Sequence, residues 1–168
     1  MIAQFLLLVV FPVLLMLAAG WDLASFTIPN SVSLGLVGAF AVFAAVVGMA
    51  PAAIGWHLLA GLMALAISFA LFAFGFVGGG DAKLFAATAL WLGLQSLPVY
   101  ALFAAVAGGA LALALVAVRR FPLPALFAGQ SWIVRLHDSK EGMPYGVALA
   151  AGALLLLPQT ELFRLAAG

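Results

Sequence analysis

The 168-residue chain is 68% hydrophobic and 7% charged, with six Lys and Arg, five Asp and Glu, and a formal net charge of +1. A soluble domain needs roughly a quarter of its residues charged, so this composition excludes an ordinary soluble protein. It predicts one all-α domain over 1–168, a polytopic bundle of membrane helices. No cysteine is present, which removes thiolate nucleophiles, disulfides and cysteine-based metal sites.

A membrane-crossing helix needs about 20 apolar residues. By that measure six spans are expected, at about 2–20, 31–49, 54–76, 82–96, 98–118 and 144–163. The first has no positive segment before it and a long apolar run, so it reads as a retained span rather than a cleaved leader, kinked at Pro12. Asp22 follows its end. Pro29-Asn30-Ser31 opens the second span, with Asn30 or Ser31 as the cap. Met49-Ala50-Pro51 is a short turn, and His57 is an interfacial histidine toward the opposite end of the bundle. Phe76-Val77-Gly78-Gly79-Gly80 is a flexible stop before the fourth span, which is short and tilted or closely paired with the fifth. Lys83 snorkels to the interface. Gly108 and Gly109 permit close helix approach within the fifth span.

Residues 119–143 differ from every other connection. They hold Arg119, Arg120, Arg135 and Lys140, four of the six basic residues. Ser131 to His137 reads as a short amphipathic segment at the interface. The positive-inside rule places this loop in the cytoplasm, where its charges meet anionic headgroups. If the fourth span crosses, parity puts the loops bearing Asp22 and Asp81 on that same face. His137, Asp138 and Glu141 read as a solvated loop face rather than a metal site.

Charged side chains at bilayer depth are expensive and mark functional sites. Asp22 and Asp81 each allow a bland reading, as a helix end and a helix cap. On one membrane face together, they point instead to a pair that shares one proton and activates a water. Such a pair titrates with two separated apparent values that belong to the dyad, and the helix dipoles favour Asp81 as the resting base. Glycines at 78, 79 and 80 let another backbone approach the carboxylate. No His-Glu-x-x-His and no Gly-x-Ser-x-Gly segment occurs, so the carboxylates are the credible catalytic groups of a protease. No metal, cofactor or nucleic-acid partner is called for. The rival readings are a small proton-coupled transporter and a non-catalytic assembly subunit. Against the transporter, both Asp sit at span ends and no internal repeat is evident.

These residues resemble the type IV prepilin peptidases and their archaeal preflagellin relatives, the GxGD-type aspartic membrane proteases. The likeness rests on Gly78-Gly79-Gly80-Asp81, on Asp22 followed by Ile28-Pro29-Asn30, and on Met143-Pro144-Tyr145-Gly146 opening the last span. It implies an aspartic endopeptidase of the inner membrane, cutting leader peptides from prepilin or pseudopilin precursors at the cytoplasmic face. Asp22 and Asp81 match the two catalytic positions, with Ile28, Pro29, Asn30, Gly78, Gly79, Gly80 and Lys83 as motif support. Larger relatives carry a cysteine-containing insert and also methylate the new N-terminus. A chain without cysteine is most similar to the short, peptidase-only members serving Flp/Tad-type pili. Relatives often carry basic residues between the first aspartate and the Ile-Pro-Asn segment; Leu23-Ala24-Ser25-Phe26-Thr27 has none.

Overall fold

In hydrocarbon every backbone N–H and C=O must find a partner within the protein, which leaves helices as the economical solution for long apolar runs. The computed structural model describes residues 1–167 and contains no strand among them. A helix lies over each of the six segments expected to span: α1 (Ile2–Ser25), α2 (Asn30–Val46), α3 (Pro51–Ala73), α4 (Gly79–Leu92), α5 (Leu97–Val118) and α7 (Tyr145–Leu156). Two short helices complete the chain, α6 (Ser131–His137) in the basic loop and α8 (Glu161–Ala167). The fold is a polytopic helical membrane bundle.

Three helices, α1, α3 and α5 with the turn before it, are long and apolar enough to cross a membrane. The others are shorter. At 1.5 Å per residue, α4 with its 14 residues spans only about 21 Å. It takes the centre of the bundle, packing on α2, α3, α5 and α7. Nine of its side chains are buried, so a short helix bearing Asp81 and Lys83 is sheathed largely by protein rather than by lipid.

Several boundaries depart from the sequence reading. Pro12 does not end or sharply break α1. The backbone widens into a π-helical turn at Leu6–Val10 just before it, which accommodates a residue with no N–H to give. The helix then runs on to Ser25, so Asp22 lies inside its last turn rather than beyond its end. The sixth expected span breaks at Leu157–Gln159, where Pro158 interrupts the ladder. The Thr160 hydroxyl accepts from the Phe163 N–H and starts α8.

The end of α4 remote from Asp81 is an aromatic core. Trp91 is 1% exposed, with ring centroids of Phe11, Phe43 and Phe40 at 4.9, 5.5 and 5.8 Å. Its indole N–H donates to the Leu36 carbonyl at 2.9 Å, tying α4 to α2. His57, expected at the interface, is buried beside this cluster. Its Nδ1 lies 2.7 Å from the Leu90 carbonyl, an oxygen that can only accept, so Nδ1–H donates and pins α3 to α4. Of the two glycines expected to permit close approach in α5, Gly108 does so, against Tyr145, whereas Gly109 has nothing within 4 Å.

The basic loop sits where α5 ends and α7 begins. Arg119 donates to the carbonyls of Leu136 and Gly142 at 3.0 and 2.6 Å, folding the loop back on itself. The expected amphipathic segment forms as α6, packed on α1 and α5 with Trp132 and Val134 exposed.

Candidate functional site

The last turn of α1 closes with Phe26 in the left-handed region, φ 54°, its N–H bonded to the Asp22 carbonyl at 2.8 Å. A non-glycine residue in that conformation is uncommon and clusters at functional sites. Hydroxyls steady the reversal that follows. Ser25 Oγ donates to the Trp21 carbonyl and lies 2.7 Å from Thr27 Oγ1. A segment without basic residues is thus anchored by local hydrogen bonds. The chain then buries Ile28 and enters α2 behind Pro29. Asn30 does not cap that helix. Its Oδ1 accepts from Lys83 Nζ at 2.9 Å, joining the starts of α2 and α4.

On α4 the three glycines precede Asp81 at the helix start, Gly79 and Gly80 already within the first turn. Their missing side chains are used inside the bundle. A Cβ on Gly80 would lie 3.2 Å from Ile28 Cβ, one on Gly79 3.3 Å from the Phe72 ring, and one on Gly78 2.9 Å from Asp81 Oδ2. On the side where a Cβ would stand, Gly79 and Gly80 are packed within the bundle, while Gly78 is exposed.

The third segment completes the arrangement. Pro144 is fully buried, and α7 begins at Tyr145. The Gly146 N–H, one of the free donors at a helix start, donates to Asp22 Oδ2 at 2.7 Å. A Cβ there would fall 2.8 Å from Ile28 Cδ1 and 2.9 Å from the same Asp22 oxygen. Ile28 is therefore clamped between Gly80 and Gly146. Asp22 is 5% exposed and Asp81 half-buried.

Asp81 opens onto a cavity of about 200 Å³ lined by α3, α4, α5 and α7, including Ser68, Phe85, Ala104 and Tyr145. A carboxylate on a mostly apolar cavity of that size, with Ser68 and Tyr145 as the other polar side chains, leaves room for a water and a short piece of extended chain. Of the residues expected from sequence, Asp22, Ile28, Gly78, Gly80 and Asp81 converge here. Lys83, Pro29 and Asn30 form a neighbouring strut, and Gly79 is filled by Phe72. Gly146 and Tyr145 were not singled out as site residues. Their signal was present in Met143-Pro144-Tyr145-Gly146 at a helix start, but only the fold brings that segment to Asp22.

Neither the curated proteins nor the solved structures give a match to this chain. A family model described as the type IV leader peptidase family matches residues 9–113, a stretch that includes both aspartates.

Proposed function

The chain belongs to the type IV leader peptidase family, and on that premise we propose that it is an aspartic endopeptidase using Asp22 and Asp81 as its catalytic dyad. What supports the reading is that Ile28 packs on both Gly80, the neighbour of Asp81, and Gly146, whose N–H holds Asp22, so the segments bearing the two carboxylates share one end of the bundle. One carboxylate is held by Gly146 from the start of α7, and the other opens on the apolar cavity.

In this mechanism the dyad holds one proton and one water. The ionised carboxylate takes a proton as the water oxygen attacks the scissile carbonyl carbon, and the protonated carboxylate donates to the carbonyl oxygen. Collapse of the tetrahedral intermediate breaks the C–N bond. The departing amine takes a proton from the carboxyl that gained one, while a hydroxyl of the diol returns a proton to the other carboxylate, which releases a new carboxyl end and a new N-terminus and restores the singly protonated pair. Like charges this close do not both ionise readily, which keeps the single proton on the pair.

The substrate is a prepilin or pseudopilin precursor. A Flp-type precursor is the first choice on the resemblance to short peptidase-only members. The basic loop, which shares the aspartate end of the bundle, supports a cytoplasmic location for that end in the inner membrane. The test is co-expression of a Flp-type prepilin with wild type, Asp22→Asn and Asp81→Asn, read as a gel shift. Loss of the shift in both variants at normal membrane levels is expected. Processing that persists in either removes the dyad.

A further inference from the structure

Two carboxylates account for the movement of protons, but the oxygen of the scissile carbonyl gathers negative charge as water attacks. A fixed donor aimed at that oxygen is among the largest contributions available to such a site. The cavity beside Asp81 is lined by three polar side chains, Ser68, Asp81 and Tyr145. Ser68 is committed elsewhere, its hydroxyl donating to the Ala64 carbonyl at 2.7 Å, with the Ala82 carbonyl at 3.2 Å. Tyr145 is not. Its hydroxyl reaches only the Ala104 carbonyl, at 3.4 Å, well beyond the usual 2.5–3.0 Å of an O–H···O bond, or roughly the limit of one.

The ring is nevertheless held firmly. It rests on the bare backbone of Gly108, where a Cβ would lie 2.5 Å from Cε2 and 3.2 Å from the hydroxyl oxygen. Tyr145 also directly precedes Gly146, whose N–H holds Asp22. One turn of α7 thus grips the first carboxylate and presents a loosely bonded phenol to the cavity of the second. A positioned donor in a mostly apolar pocket is preorganised for charge that develops during reaction.

We propose that Tyr145 is a further catalytic residue, its phenol donating a hydrogen bond to the scissile carbonyl oxygen as the tetrahedral intermediate forms. The phenol keeps its proton throughout; the carboxylates do the transfers. This inference rests on the Asp22/Asp81 reading. It is tested by steady-state cleavage of a Flp-type prepilin by purified enzyme in detergent, with thermal unfolding of each variant measured in parallel. Tyr145→Phe keeps the ring and removes the donor. It should lower kcat by about 10²-fold, with KM and the unfolding midpoint close to wild type. Gly108→Ala displaces the ring and should also lower kcat, yet add little when combined with Tyr145→Phe. A wild-type kcat in Tyr145→Phe overturns the proposal, as does a loss confined to KM or one that merely follows lowered stability. If Asp22→Asn or Asp81→Asn still cleaves, the dyad itself falls, and this inference with it. If both are inactive while Tyr145→Phe is not, only the role of Tyr145 falls.

Discussion

At its remote end α4 buries Trp91 among Phe11, Phe40 and Phe43, while at its near end Gly78, Gly79 and Gly80 carry no side chain at all. The remote end gains from close aromatic packing and a satisfied indole N–H. The near end gains little and pays in desolvation, because it holds two carboxylates with few donors. Gly146 gives Asp22 its one hydrogen bond from a distant helix. The lesson is a division of labour along a single short helix: one end locates the helices, and the other uses that rigidity to hold the proposed dyad in place.

That division is broken most directly at the dyad. Asp22→Asn and Asp81→Asn should each lower cleavage by at least about 10³-fold while leaving the unfolding midpoint near wild type. A collapse of stability with activity in the folded fraction preserved would reverse the assignment of the near end. The mirror test is Trp91→Ala, which opens a cavity in the aromatic core and should cost about 3–5 kcal/mol, followed by denaturant unfolding in mixed micelles. Turnover per folded molecule should stay unchanged.

Gly146→Ala probes the point where the two demands meet. Its methyl collides with both Ile28 and Asp22, so stability should fall by about 1–3 kcal/mol. Cleavage should fall by about 10²-fold through misplacement of the carboxylate. A variant that loses stability alone would show that Asp22 tolerates a loose position. The smallest effect is expected at exposed Lys83. Lys83→Met removes the strut to Asn30, yet a surface change of this kind is worth about 0.5 kcal/mol or less, about a twofold change in cleavage at most.

The helices were legible because hydropathy is a strong signal when almost every residue is apolar, and the aspartates because charge is so scarce in such a chain. Which faces meet was not legible. A helix that is hydrophobic all round gives no amphipathic stripe to say which side is buried. The cluster around Trp91 and the inward turn of His57 therefore left no pattern in the sequence. Helix ends set by side-chain chemistry were also missed. Asn30 is suited to capping its own helix, but Lys83 takes its oxygen instead, and Thr160 starts a helix where a continuous span was expected. The glycine run gave no sign of which residues pack on it, because Ile28 and Phe72 come from distant parts of the chain.

The bond between Gly146 and Asp22 joins residues 124 positions apart, and that separation sets a timetable. The first aspartate is synthesised and inserted early, but the amide that orients it belongs to the helix that enters the bilayer after α1 to α5. A growing chain therefore passes through most of its assembly with Asp22 unheld, and the pair is put in order only once α7 is in place. The ordering of Asp22 is thereby deferred until the bundle around it is nearly complete.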